Sequence, residues 1–408
     1  MKNANLQTFW VLFGALLLVT FDLGPLRLFG SDLLVLGIVP LALHQRSVFS
    51  SQKFTTLYLF LVGVFLLGAL NATLRLVPLG TSVFFGRTLA PVFLAPYLLA
   101  GGVGPNVVRL WSIVRGLCYA NAVAVFLFLG GFIVPGVSSS VLEAGRLSGF
   151  MGDPNAYGVA CATTYFLSSS DEHAKPFRWL LVLGIVLSLS RTAWVAFVIG
   201  LAIQLVVNTT RRRALVRPSP KTTATVALLS VVVAILFRVL DIFERYIEPI
   251  MSARPESAGG RIDQATRAFS EFADHPFTGA GFGSTRFEDG VAASNIVHTT
   301  FAWVAGELGL VGLVVVFLVL AWPAVRLFGY ARGEAVAGRV SLALGVMATG
   351  SLTIDAFAQR LWWVVAGAAW LMLLESTDWK ESTDWKEEPP ESDSPDLPRE
   401  ASIEMTNA

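Results

Sequence analysis

The sequence predicts an all-α, polytopic integral membrane protein of about twelve transmembrane helices. Three observations predict it. Of 408 residues, 54% are hydrophobic and only 14% charged, with a mean hydropathy of +0.64. A soluble domain carries about 25% charged residues and could not cover its surface with so few. The apolar residues also fall in runs of a length suited to helices in a bilayer, where backbone polar groups must be satisfied internally. Finally, the lysines fall in alternate connections between those runs, the pattern that orients helices in a membrane.

In order, the runs lie near residues 6–21, 31–44, 54–72, 81–100, 111–134, 154–169, 178–190, 192–208, 223–240, 299–322, 340–355 and 361–374. Lys2 precedes the first, and no small-residue cleavage site comes before Asp22, so it reads as an uncleaved span. With both termini cytoplasmic, the inner loops hold Arg46, Lys53, Arg109, Arg115, Lys175, Arg178, Arg211, Arg212, Arg213, Arg217, Lys221, Arg326, Arg332 and Arg339. Lys2, Lys380 and Lys386 are then inside as well, and no lysine is left on the outer face. The basic residues outside or at membrane depth are arginines: Arg27, Arg75, Arg87, Arg146, Arg191, Arg238, Arg245, Arg254, Arg261, Arg267, Arg286 and Arg360. Arginine without lysine suits bidentate phosphate binding, although a codon bias toward arginine gives the same pattern.

Residues 1–374 therefore form the membrane bundle, and 375–408 change character. That tail holds eleven acidic and three basic residues, several prolines and a tandem ESTDWK repeat. It reads as a disordered cytoplasmic tail, because it cannot bury enough apolar surface to fold. The net charge of +1 is a sum of local patches and carries no argument for nucleic acid. Cys118 and Cys161 lie in apolar runs and read as packing residues rather than a disulfide or metal pair.

One long polar excursion, 241–297, lies on the outer side, and long loops in compact proteins are functional or disordered. Within it, 261–274 place Ile262, Ala265, Phe269 and Phe272 on one face at helical spacing. Gly259 and Gly260 open this amphipathic helix and Pro276 follows it, at the membrane interface or against the bundle. Gly279, Gly281 and Gly283 come next, spaced so that backbone can approach a ligand or a neighbouring helix. Of the four histidines, His44 and His173 are cytoplasmic, leaving His275 and His298 for chemistry on the outer face. His298 sits where the chain re-enters the membrane, and arginines converge there. Arg191 lies in SLSRTAW between two apolar runs, and Arg87 in FFGRTLAP. Each arginine either snorkels to headgroups or joins Arg261 in holding a diphosphate. In the short loop 135–153, Asp153 reads as an N-cap with Pro154 at the first helical position, while Arg146 is a candidate for the cationic cluster.

The segments SLSRTAW, GGRIDQATRAFSEFADHPFTGAGFGS and VHTTFAWVAGELGLVG, with DPN after RLSGF, resemble the O-antigen ligase and polymerase family in order and position. The resemblance covers about residues 50–374. It implies a helical integral-membrane glycosyltransferase bundle (GT-C-like) with one large periplasmic loop, in the bacterial inner membrane. It implies transfer of a glycan from an undecaprenyl-diphosphate carrier to a saccharide hydroxyl. It assigns His298 to catalysis and Arg191 and Arg261 to the donor; by its own placement Arg87 joins them at the donor diphosphate, and Arg146, Arg267, His275 and Thr299 are candidates for supporting roles. Thr299 stands where the family often has asparagine after the histidine.

That chemistry is coherent with the residues. Arginines can stabilise the charge that develops on a departing lipid diphosphate without a metal, and the outer loops lack DxD and HExxH, so neither metal nor cofactor is expected. His298 has the ordinary pKa of a general base, and direct displacement would invert the anomeric centre. Ligation onto lipid A–core and polymerisation of repeat units of O-antigen or exopolysaccharide use the same donor; transfer to protein is a further acceptor choice. A secondary transporter would show midplane ion pairs, interrupted helices and an internal repeat.

Overall fold

The computed structural model describes residues 2–23, 26–32, 34, 52–75, 107–131, 133–134, 140–143, 145–169, 171–213, 258–288, 291–292, 299–330, 335–352, 354 and 359–383. The expected spans at 81–100 and 223–240, and nearly all of 31–44, lie outside these residues. The others are helical. They are α1 Lys2–Leu16, α2 Gln52–Leu74, α3 Val107–Gly130, α4 Pro154–Ser168, α5 Arg178–Leu187 and α6 Arg191–Arg213, then α7 Ala258–Asp274, α8 Thr300–Val316, α9 Trp322–Tyr330, α10 Ala335–Gly350 and α11 Arg360–Thr383. A π turn, Phe317–Ala321, joins α8 to α9. Two stretches among the described residues, Leu110–Gly130 and Thr300–Phe328, are long and apolar enough to cross a membrane, and shorter apolar helices accompany them.

Several ends differ from those expected. The first helix stops at Leu16, and the chain turns into an antiparallel hairpin of β1 Thr20–Leu23 and β2 Leu26–Phe29. Ten-residue α5 is only about 15 Å long, half a hydrocarbon core. The last helix runs to Thr383, past the expected tail boundary at Glu375, and carries the first ESTDWK copy on its backbone.

The core is organised around α4, which is buried along almost its whole length and packs against α3, α5, α6 and α10. Small residues make this possible. Gly158 lies against Ser188 Oγ and Ala193 Cβ, and Gly350 of α10 against Val159, each so close that an added Cβ would meet atoms at 2.5–2.7 Å. Such contacts let backbones approach where lipid offers no hydrophobic contrast to drive packing. Cys118 and Cys161 are buried and free, and the Cys161 thiol donates to Asn121 Oδ1, which also accepts from the Tyr157 hydroxyl.

At the far end of α4 the connection to α5 is held by charge. Arg115 Nε and Nη2 bond both oxygens of Asp171, at 2.6 and 2.9 Å, and the His173 N–H adds a third bond at 3.2 Å. Burial by itself would push the Asp171 carboxyl up, but the guanidinium and the backbone N–H together hold it below the usual carboxylate value. Arg339 at the start of α10 bonds Ser169 in the same connection, and Arg178 stacks over Tyr165 at 4.0 Å.

Candidate active site

The turn between α5 and α6 sets the position of Arg191. Ser188, Leu189 and Ser190 separate the two helices, and the first fastenings of this turn are local. Ser190 Oγ accepts from the Ala193 N–H at 3.2 Å, capping α6, while Ser188 Oγ donates to Ile185 O at 2.7 Å. The Trp194 indole N–H reaches back to Ile185 O at 2.9 Å. Leu189 has φ +49°, the left-handed region that costs a non-glycine residue of order 1–3 kcal/mol unless its surroundings over-determine it. Arg191 is then the first residue of α6, and its side chain is exposed.

Arg146 over-determines that turn. It lies on β4 Arg146–Leu147, paired with β3 Leu142–Glu143 across Gly145, which has φ +75°. Its Nε donates to Ser188 O at 2.9 Å, and its Nη2 to Asn155 Oδ1 at 3.0 Å and Leu189 O at 3.4 Å. Asn155 is in turn fixed by the cap of α4: Asp153 accepts from the N–H groups of Asn155 and Ala156 at 2.8 and 3.4 Å, with Pro154 at the first helical position. The capping role expected of Asp153 is therefore observed. The sequence did not reveal that Asn155 and Arg146 extend the cap to the turn before Arg191.

The second half of the site is built on a broken helix. Gly309 interrupts α8 with φ +64° and ψ −155°, which strands carbonyls before the break and N–H groups after it. The segment after α7 supplies partners for both sets. The Ala280 and Gly281 N–H groups donate to Gly306 O and Glu307 O at 2.8 and 2.9 Å, and the Leu310 and Val311 N–H groups donate to Pro276 O and Phe277 O at 2.8 and 3.2 Å. Buried backbone groups freed by a break in a helix are costly unless paired, and protein pairs them here. The Phe282 N–H also donates to Gly68 O of α2 at 3.1 Å, and the Phe282 ring is buried against Phe65. The two destinations considered for the glycines, a ligand or a neighbouring helix, are thus decided for Gly279 and Gly281. A Cβ on Gly279 would meet the Glu307 carbonyl carbon at 2.3 Å, and one on Gly281 would meet Ala72 N at 2.3 Å.

Glu307 is fully buried at the break, and Oε1 accepts from Thr285 Oγ1 at 2.6 Å. A lone carboxylate in an apolar run demands partners, and that was the signal by which this residue could have been found. Helix α7 packs beside α8 and runs in the same direction, with Ala268 against Gly306 and Phe277, three residues past the end of α7, against Gly309. Its buried face carries Gln264 and Ala268, with Ala265 partly buried, whereas Phe269 is 53% exposed. Ala265 and Phe272 of the expected apolar face are thus partly buried, while the closest crossing is made by Ala268, where a small residue fits. The backbone of Arg261, seven residues before Ala268, lies back along α7 toward the end where α8 begins.

That end meets the first half of the site. The Thr300 N–H donates to Ser351 O at 3.0 Å and its hydroxyl to Ile354 O at 2.7 Å, tying the start of α8 to the end of α10. Gly350 lies against Val159, and Gly158 against Ser188 and Ala193. A continuous set of contacts thus joins the starts of α6 and α8 around one end of α4. Thr299 caps α8 by accepting from the Ala302 N–H at 3.2 Å. His298 and Arg87 lie outside the described residues, as does the Arg261 side chain. Arg267 is exposed, and His275 directly follows α7, its N–H on Glu271 O at 3.0 Å and its carbonyl accepting from the Gly279 N–H.

A mostly helical bundle, with two stretches among the described residues long and apolar enough to cross a membrane, fits an all-α membrane protein. Residues 177–317, about a third of the chain, match the family described as O-antigen ligase. No curated protein matches the chain. The matched region runs from the start of α5 through α8 and so contains Arg191, Arg261 and His298, with Arg87 and Arg146 outside it. The family points to a glycosyltransferase-like ligase or polymerase acting in general on lipid-linked saccharides.

Proposed function

We propose that this protein transfers a glycan from an undecaprenyl-diphosphate carrier to a saccharide hydroxyl at the periplasmic face of the bacterial inner membrane, as a ligase acting on lipid A–core. The observation that supports the reading is the convergence just described. Arg191, at the start of α6, and Thr299, the residue after His298, belong to one contact network around the end of α4. In this reading Arg191, Arg261 and Arg87 bind the donor diphosphate and offset the charge that builds on it as the glycosidic bond breaks. His298 accepts the acceptor hydroxyl's proton, and the arginines nearby favour its neutral form. Displacement is direct, so the anomeric centre inverts.

The test uses the purified full chain in a lipid bilayer with undecaprenyl-diphosphate-linked glycan from its host and lipid A–core as acceptor. Release of undecaprenyl diphosphate and extension of the acceptor are both measured, with and without EDTA. Turnover should persist in EDTA and fall at least about 100-fold in His298→Ala and Arg261→Ala. Full activity in both variants would end the site assignment, and a retained anomeric configuration would end the displacement step. Release of carrier with growth of the glycan itself, rather than of the core, would assign polymerisation.

A further inference from the structure

We propose that Arg146 is a positioning residue for Arg191, holding the turn from which α6 starts rather than binding the donor itself. The inference rests on the reading of Arg191 as a diphosphate ligand. Two independent observations carry it. First, the Arg146 guanidinium is directed into the protein: Nε and Nη2 bond the carbonyls of Ser188 and Leu189 and the side-chain oxygen of Asn155. Those two carbonyls close the end of α5, where the helix dipole is negative and a cation is favoured. Second, Leu189 between them is left-handed, at φ +49°, a conformation a leucine does not hold unaided.

The two observations explain each other. A leucine forced through αL reverses the chain within three residues, so α6 can begin at Arg191 with no loop. Ser188 and Ser190 cap the helix ends on either side, but neither bonds the Leu189 carbonyl; Arg146 does. Because Asn155 is seated in the Asp153 cap, the clamp also ties the turn to the first residues of α4. Losing the fork would let Leu189 relax toward negative φ, and the first turn of α6 would swing with it. Arg191 would keep its charge and lose its place.

The experiment reads binding of undecaprenyl diphosphate, the carrier without any sugar, to the purified full chain. Arg146→Ala should weaken binding about tenfold, whereas Leu189→Gly, which adopts αL freely, should change it less than about twofold. The double variant Arg146→Ala/Leu189→Gly should recover to within about threefold of wild type, since glycine restores the turn without the clamp. Arg146→Lys, which has no fork, should resemble Arg146→Ala. In an Arg191→Ala background, Arg146→Ala should cost no more than about a further twofold, as expected of residues acting as one unit. If glycine recovers nothing and the Arg146 and Arg191 losses multiply, Arg146 binds the donor directly and the proposal is overturned. If Arg191→Ala binds undecaprenyl diphosphate like wild type, the reading of Arg191 falls and this proposal with it. Where Arg146→Ala fails to fold, Asn155→Ala removes one acceptor only, and the same glycine recovery applies.

Discussion

The two halves of the candidate site are fastened by opposite means. The turn before Arg191 is held by side chains: a guanidinium, two serine hydroxyls and an indole reach for backbone carbonyls and N–H groups. The break in α8, beside the helix that carries Arg261, is held by backbone to backbone, with glycines where a side chain would collide. Side-chain fastenings can be weakened by degrees and tuned one residue at a time. A backbone fastening has no such range, because any Cβ pushes the two chains apart. The first half should therefore respond to mutation gradually and the second abruptly.

The largest effect is expected at Gly279. Alanine there would take an unfavourable φ of +66° and put its Cβ 2.3 Å from the Glu307 carbonyl carbon, with no flexible side chain to yield. A loss of about 3 kcal/mol or more is expected from strain and overpacking together, seen as a lower melting temperature and loss of monodisperse protein. An alanine variant that melts like wild type would break the comparison. Next comes the carboxylate at the same junction. Thr285→Val keeps the shape but leaves Glu307 short of a buried donor, at a cost of about 2 kcal/mol in the same melting assay. Glu307→Gln, which can still accept from Thr285, should lose less.

The connection after α4 offers a side-chain fastening that can be titrated. The folded state holds the Asp171 carboxyl below its ordinary value, so the unfolded chain binds its proton first as pH falls. The stability it contributes is fully present above about pH 3.9, the unfolded value, and is lost as pH drops through the folded one. Asp171→Asn should cost about 1–2 kcal/mol at pH 7, because Arg115 keeps a neutral partner and is partly exposed. Its melting temperature should fall less steeply than wild type between pH 5 and about pH 3. Equal slopes would remove Asp171 as a fastening.

How much of this was legible depended on how local each cause was. The helices at 154–168, 300–316 and 335–350 follow from apolar runs, and the Asp153–Pro154 cap from adjacent residues, so both could be read directly. The break at Gly309 could not, because a glycine in an apolar run looks the same whether the helix continues or stops. What stops it is the backbone of 276–281, some thirty residues earlier, and hydropathy carries no record of that pairing. Arg146 was read as one more outer cation because its partners are mostly carbonyls, which every residue has. The role of Ala268 was not legible for a related reason: close approach to Gly306 selects a small residue, and apolar spacing does not mark which one.

The smallest effect predicted tests whether glycine matters by position or by type. Gly63, on an exposed face of α2, has nothing within 4 Å of where a Cβ would be, and it lies one and a half turns before Gly68, which packs on Phe282 and Leu308. Alanine at Gly63 removes backbone freedom from the unfolded chain and suits the helix better, so it should stabilise by up to about 1 kcal/mol. Alanine at Gly68 would meet the Leu308 methyl at 2.5 Å and the Phe282 ring at 3.0 Å, and these side chains can shift where the backbone at Gly279 cannot. Its loss should therefore fall between those of the other two, at about 1–2 kcal/mol. If the three melting temperatures came out in any other order, close backbone approach would not be what holds α7 and its glycine segment to the bundle.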